Sequence, residues 1–237
     1  MSSELSQPAR PPVQLRVVSY NIHGLRDDRA ALVAVVRELA PDVLLLQEAP
    51  QRFQWRHKCA ELAHEFGLVV GAGGQPGRGN LLLTNLRVRV TDSWCRWYPL
   101  TPGRHLRGAV FARCTVGGAR FVVAGSHLAT DPVERPSQAK LFKAMLAEVD
   151  GPVVVGADLN DEPDGEAWRV VASGLVDACG DDSAVTFSCT EPRRRIDAIF
   201  VDPRVEVTDF RVIDTPQARR ASDHFPVVAD LRLPVSD

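Results

Sequence analysis

The stretch "LRVVSYNIHGLRDDRAALVAVVRELAPDVLLLQE", residues 15–48, alternates between two hydrophobic periods. Residues 15–21 are an apolar run of strand length, and residues 41–48 are a second one. Between them, residues 27–40 begin with an aspartate suited to an N-cap and continue with apolar residues at helical spacing. The stretch therefore predicts a β-α-β unit with two parallel strands.

A different strand pair is predicted in "GAVFARCTVGGARFVVAGSHL", residues 108–128. Two apolar runs flank Gly117 and Gly118, and paired glycines accept the positive φ angles of a tight hairpin turn. These two strands are expected to be antiparallel. A parallel unit together with a hairpin predicts an α/β protein with mixed sheets and with helices packed outside them.

The remaining segments continue this alternation to the end of the chain. Further helices are predicted near residues 53–66, 133–149 and 163–173. Further strands are predicted near residues 68–71, 80–84, 86–91, 151–160, 195–201, 205–213 and 225–233, with a loop from 92 to about 106. No internal repeat or linker divides the chain, so residues 14–237 are expected to form one domain after a flexible leader, residues 1–13.

Composition excludes several classes of protein. The chain of 237 residues has a formal net charge of −2, so it lacks the global positive field that is typical of nucleic-acid-binding proteins. Its five cysteines include no C-x-x-C pair, which favours a reducing compartment and predicts a cytoplasmic protein. No apolar stretch approaches the roughly 18 residues that a transmembrane segment needs. We expect the protein to be a monomer.

Polar residues interrupt the apolar runs at the ends of the predicted strands. Ligands and catalytic groups gather at strand ends, because the strands fix their position while the loops leave them accessible. Seven such residues therefore predict a single site. They are Asn21, Glu48, His127, Asp158, Asn160, Asp197 and His224.

Six blocks containing these residues carry a resemblance to a known family: "SYNIHGL", "PDVLLLQE", "GSHL", "GADLND", "RIDAIFV" and "SDHFPV". Their order and approximate spacing resemble the endonuclease/exonuclease/phosphatase superfamily, which includes DNase I-like nucleases, sphingomyelinases and inositol-polyphosphate phosphatases. The resemblance covers about residues 15–233. It implies a four-layer αββα sandwich of two mixed β-sheets, and hydrolysis of phosphoesters with a divalent cation.

The resemblance also implies a role for each residue. Glu48 is the implied principal ligand of Mg²⁺ or Mn²⁺, with Asn21 and Asp223 in or beside the coordination shell. Asp158 is implied to orient and deprotonate the attacking water, and Asn160 to hold phosphate or water.

The histidines are implied to contact the phosphoryl group. His224, paired with Asp197, would stay protonated near neutral pH and bind a phosphoryl oxygen as charge builds. His127 and Arg107 are further candidates for phosphate contacts. Structural interpretations stay open. They are a turn residue at Asn21, a loop cap at Asp158, a core histidine at His127, an ion pair of Asp197 with Arg195, and a solvated arginine at Arg107.

The substrate class is less constrained. His23 stands where abasic-site endonucleases have an acidic residue, and Pro50 where relatives that act on DNA often have a basic one. The chain also lacks the long insertions with which the abasic-site and inositide branches of the family grip large substrates, so a small phosphoester, lipid head groups included, is favoured over DNA or RNA. A basic rim could nevertheless receive a nucleic acid strand or a small polyanion. It consists of Arg193, Arg194, Arg195, Arg219 and Arg220. A catalytically silent binding module is the alternative from another class.

Overall fold

Twelve strands form two six-stranded sheets in the computed structural model, which describes residues 11–181 and 183–235. The strands are β1 (Val13–Asn21), β2 (Val43–Gln47), β3 (Val69–Gly73), β4 (Leu81–Thr84), β5 (Arg89–Trp97), β6 (Gly108–Val116), β7 (Ala119–His127), β8 (Val153–Asp158), β9 (Val176–Asp177), β10 (Asp197–Val201), β11 (Glu206–Val212) and β12 (Val227–Leu233). The first sheet has the order β11-β12-β1-β2-β4-β3, and the second has the order β5-β6-β7-β8-β10-β9.

The helices cover the outer faces of the two sheets. They are α1 (Arg29–Leu39), α2 (Trp55–Phe66), α3 (Arg135–Ala147), α4 (Glu166–Ala172) and α5 (Pro216–Ala221). Helices α1, α2 and α5 pack on the first sheet, whereas α3 and α4 pack on the second. A third apolar cluster fills the space between the sheets. The predicted four-layer αββα sandwich is therefore confirmed.

The continuous apolar runs of β1 and β2 follow from burial on both faces. Side chains alternate across a strand, so Val17 and Leu45 enter the core between the sheets, while Val18 and Leu44 pack under the helices. A strand that is buried on both faces has no polar side to present to water. The two strands pair in parallel, as the β-α-β pattern predicts.

The central hairpin also matches its prediction. Strands β6 and β7 are antiparallel, and Val116 pairs with Ala119 across a two-residue turn. Gly117 and Gly118 have φ angles of 55° and 90° there, which glycine adopts without the steric cost of a Cβ.

Three elements differ from the sequence-based expectation. Strand β5 continues to Trp97 through part of the predicted loop, because it is an edge strand whose polar, largely exposed residues hide its periodicity. Helix α5 and strand β9 are too short, at six and two residues, to show a hydrophobic period. The predicted leader lies outside the described residues up to position 10, and its last residue, Val13, begins β1.

Among the residues described, no helix combines the length and the apolar character needed to cross a membrane.

Candidate active site

The polar strand ends of both sheets meet at one edge of the sandwich. In the first sheet, Asn21 ends β1 alongside the last residue of parallel β2, so Glu48 follows at the same edge. In the second sheet, the register aligns Asp158 with His127 of β7 and with Asp197 of β10. We call this edge the site end of the molecule.

Asp158 lies at the centre of the cluster and is fully buried. Its Oδ1 accepts a hydrogen bond of 2.9 Å from the backbone N–H of Asn160, and its Oδ2 accepts one of 2.9 Å from Nδ2 of Asn21. The Nε2 atoms of His127 and His224 lie 3.2 and 3.8 Å from Oδ2. All four contacts come from nitrogen atoms, which hold the carboxylate in one orientation.

His127 is held between Arg107 and Asp158. Nη1 of Arg107 lies 2.8 Å from Nδ1 of the ring, and Nδ1 must accept because a guanidinium has no acceptor. The proton of the neutral imidazole is therefore on Nε2, which faces Asp158. Burial lowers the pKa of His127 to about 3, and the attraction of Asp158 does not offset it. The sequence led us to expect that Arg107 contacts phosphate. In the structure, its side chain contacts His127.

His224 has the opposite protonation. Its buried Nδ1 lies 2.9 Å from Oδ2 of Asp197, so the predicted pairing of the two residues is present. Burial alone lowers the pKa of His224, but the Asp197 and Asp158 carboxylates outweigh it and raise this pKa to about 10. The ring therefore carries both protons, and its Nε2–H lies between Asp158 and Asp223, at 3.8 and 4.0 Å from their oxygens.

Asn160 presents a hydrogen-bond donor to the same cluster. Its backbone has a φ angle of 51°, which turns the chain sharply after β8. Its Nδ2 donates to the carbonyl oxygen of Leu128 at 3.0 Å and lies 3.0 Å from Nε2 of His127. Since Nε2 carries the ring proton, this second contact brings two N–H groups together, and the hydrogen bond to Leu128 is the one that Nδ2 makes among the described residues.

Glu48 presents a carboxylate that has no hydrogen-bond or ion-pair partner in the described part of the chain. The residue is half-buried and directly follows β2 with a φ angle of 56°. A Cβ on Gly24 would lie 3.8 Å from Oε2 of Glu48, so this glycine leaves space beside the carboxylate. Next to Gly24 in the chain is His23, whose Nε2 lies 3.8 Å from Oδ2 of Asp223.

Asn21 adds a third oxygen beside this turn. Its Oδ1 accepts a hydrogen bond of 3.0 Å from the backbone N–H of His23, which leaves one lone pair of the amide oxygen for a cation. Carboxylate and amide oxygens are ligands that Mg²⁺ prefers. The chemistry of Glu48, Asn21 and Asp223 therefore fits a hard divalent cation.

A different group of side chains meets the distance requirement for a cation. The ligand atoms of Asp158, Asp197 and His224 lie within 4.8 Å of one another. Within this group, Nδ1 of His224 already makes a hydrogen bond of 2.9 Å to Oδ2 of Asp197. We therefore interpret this group as a hydrogen-bonded acid-base unit.

Three residues that sequence reasoning missed support His224 and Asp197. Oγ1 of Thr186 accepts hydrogen bonds from the backbone N–H groups of Ile196 and Asp197 at 3.0 and 3.2 Å. The other two lie against His224. They are Ser222, whose Oγ accepts the His224 N–H at 3.3 Å, and Phe187, whose ring centroid lies 4.7 Å from that of the imidazole. Ser222 could have been found within "SDHFPV", but Thr186 and Phe187 stand in no block that would point to them.

The basic rim expected from the sequence is paired with acids. Each of its five arginines forms an ion pair, so we call it the paired-arginine rim. The pairs are Arg193 with Glu191, Arg194 with Glu162, Arg195 with Asp177, Arg219 with Asp214, and Arg220 with Asp28. Because Arg195 pairs with Asp177, the alternative of an Arg195–Asp197 ion pair is wrong.

Comparisons with known proteins show which fold and which family this chain shares. A protein from Bacteroides thetaiotaomicron, described as of the endonuclease/exonuclease/phosphatase family, is 19% identical over 94% of this chain and 99% of its own, with a TM-score of 0.79. A mannosyl-6-phosphatase from the same species is 19% identical over 92% of this chain and 99% of its own, with a TM-score of 0.77. D. rerio TDP2, solved with a single-strand DNA product, is 20% identical over 92% and 98%, with a TM-score of 0.73.

At these identities the solved structures show the fold alone. The search of the curated proteins found no match. The family model, however, described as "Endonuclease/Exonuclease/phosphatase family", matches residues 18–224, which include every residue of the site described above. The chain belongs to the endonuclease/exonuclease/phosphatase family.

Proposed function

We propose that the protein is a Mg²⁺- or Mn²⁺-dependent hydrolase that cleaves a small phosphoester by in-line attack of water. The observation that carries this proposal is the pairing of an acid-base unit with a free carboxylate at one sheet edge. Asp158 lies beside the charged His224, and at the same edge lies the Glu48 carboxylate, which has no partner among the described residues.

Asp158 is the proposed base that orients and deprotonates the attacking water. Its orientation is fixed by Asn21 and by the backbone of Asn160, and base catalysis requires such positioning. Asn160, which directly follows this strand end and contacts His127, is proposed to hold a phosphate or water oxygen. His224 supplies a charged N–H to a phosphoryl oxygen, and Asp197 holds its ring in place. His127 and Arg107 complete the phosphate side of the site.

Glu48, Asn21 and Asp223 are the residues proposed to hold the cation. When bound there, a divalent cation neutralises charge on the phosphoryl oxygens and on the leaving oxygen.

The five free cysteines support the expected cytoplasmic, reducing location.

The pairing of the paired-arginine rim with acids favours a small substrate over a nucleic acid. A protein that grips a duplex neutralises several phosphates with free lysines and arginines. Here the paired-arginine rim is already occupied by carboxylates, and the formal net charge of the chain is −2. The similar structures include both a mannosyl-6-phosphatase and TDP2 with a DNA product, so a nuclease is the second candidate.

A metal-supplemented activity panel tests the proposal. The panel spans sugar and nucleotide phosphates, phospholipids, RNA and supercoiled plasmid, each with Mg²⁺, with Mn²⁺ or with a chelator. We expect turnover that requires metal, with a higher kcat/KM on a small phosphoester than on DNA. Efficient plasmid nicking without action on small esters would make the nuclease the leading candidate. No turnover on any substrate would favour a silent binding module.

A further inference from the structure

The site end carries an unusual share of exposed apolar side chains. Ten large apolar residues are exposed in the described part of the chain, and five of them are at this end. We call these five the apolar rim. They are Phe53, Trp97, Leu100, Leu106 and Val133, with exposures of 80%, 58%, 62%, 41% and 88%. Single exposed apolar residues are ordinary on a protein surface, but a group on one side of an active site requires an explanation.

The loops that carry the apolar rim contact one another. The backbone N–H of Ala49, in the loop of Phe53, donates to the carbonyl oxygen of Gly79 at 2.9 Å. From the loop of Gly79, Pro76 accepts a hydrogen bond of 2.7 Å from Nε1 of Trp97.

Two further loops of the site end, residues 98–107 and residues 128–134, are also joined to each other. Oγ1 of Thr101 donates to Glu134 at 2.8 Å, and Arg104 forms an ion pair with Asp131. The loop that contains Leu100 and Leu106 ends at Arg107, which reaches His127 in the active site. The apolar rim therefore borders the active site directly.

Unpaired arginines accompany the apolar rim. Among the residues described, Arg52, Arg56 and Arg78 have no carboxylate partner, in contrast to the paired-arginine rim. Arg52 and Arg56 are exposed on either side of Phe53 and Trp55. Apolar side chains interleaved with free arginines complement a surface that offers both anionic groups and hydrocarbon.

From this arrangement we propose that the apolar rim docks the protein on the surface of an anionic lipid bilayer, with the active site facing the head groups. A single-stranded nucleic acid also binds arginines and aromatic rings, but it needs open ring faces for stacking. Phe53 and Trp97 are the two aromatic residues of the apolar rim, and the guanidinium group of Arg78 already covers one face of Trp97 at 3.7 Å. Of the five rim side chains, three are aliphatic, and these insert into lipid and do not stack.

The inference rests on the proposed function only for what the docked enzyme hydrolyses, so binding can be measured separately. In vesicle sedimentation, we expect the full chain to bind mixed phosphatidylcholine and phosphatidylglycerol vesicles more strongly than pure phosphatidylcholine vesicles. Phe53→Asp should lower the partition coefficient about tenfold or more, the factor that one inserted phenylalanine contributes. Val133→Asp should act in the same direction. Arg52→Gln combined with Arg56→Gln should remove the preference for anionic vesicles.

Leu86→Asp is the matched control. Leu86 is 91% exposed, and it follows β4 at the opposite end of the sheets. We expect it to leave vesicle binding unchanged. The proposal is overturned if the unmodified chain binds neither vesicle, if Leu86→Asp lowers binding as much as Phe53→Asp, or if Phe53→Asp weakens binding to a single-stranded oligonucleotide but not to vesicles.

Turnover of a soluble phosphoester separates this proposal from the proposed function. Phe53→Asp should retain that turnover, since Phe53 lies outside the acid-base unit and the cation residues. If a variant loses vesicle binding but retains turnover, only the docking surface has been disrupted. Vesicle binding without any turnover would contradict only the proposed hydrolase.

Discussion

The two sides of the active site carry arginines in two different states. On the side of β8, β10 and β12, Arg194 and Arg220 are paired with Glu162 and Asp28. On the side of β3 to β6, Arg78 has no carboxylate partner among the described residues, and its guanidinium lies over Trp97. The sequence alone does not distinguish these two groups of arginines. The difference shows that the charge available to a ligand depends on which acids the fold places nearby.

We expect the largest loss of turnover from a substitution of Asp158, which both sides of the site share. Asp158→Asn keeps the shape of the side chain and removes the base, so turnover should fall about a hundredfold or more. The rates of turnover of a soluble ester and of lipid in vesicles should fall by equal factors, because one active centre serves both substrates. Asp164→Asn changes an exposed residue of the loop that follows β8, and as the matched control it should retain full activity. Retention of more than about a tenth of the rate by Asp158→Asn would contradict the role of Asp158.

The next effect concerns the cation. Glu48→Ala removes a carboxylate that has no protein partner among the described residues, so it should lower activity about tenfold or more without weakening the fold. Raising Mn²⁺ or Mg²⁺ should restore part of the rate, since the lost affinity is compensated by concentration. Titration of activity against metal measures this, with Glu38→Gln, an exposed carboxylate of α1, as the control. A defect that is insensitive to metal would remove Glu48 from the cation residues.

The sequence predicted the positions of the site residues better than their contacts. Strand ends can be inferred from hydrophobic periodicity, so Asn21, Asp158 and Asp197 could be assigned to one edge before any coordinates. The partner of Arg107 could not be predicted, because the distance between Arg107 and His127 depends on the register of β6 and β7. Alternation within a strand can be predicted from the sequence, whereas register across strands requires the fold.

The paired-arginine rim was the least predictable feature for a related reason. Glu162 lies 32 positions from Arg194, and Asp28 is far in the sequence from the blocks that flank Arg220. A basic cluster in sequence therefore overstated the positive charge on this side. Exposed ion pairs stabilise a fold by less than about 1 kcal/mol each, so each carboxylate lowers the local positive charge without locking its arginine in place.

We expect the smallest effect on kcat/KM from substitutions in the paired-arginine rim. Combining Arg194→Ala with Arg220→Ala should leave kcat/KM on a small phosphoester within about twofold, since each arginine already has a carboxylate partner. The same double variant should change the salt dependence of any DNA binding by no more than about one or two units of slope, because each arginine neutralises roughly one phosphate at most. Arg52→Ala combined with Arg56→Ala is the matched double variant on the unpaired side, and it should weaken binding to anionic vesicles. A larger change of slope in the Arg194 and Arg220 variant than in the Arg52 and Arg56 variant would show that the acids release their arginines to a nucleic acid. That result would remove the charge argument for a small substrate.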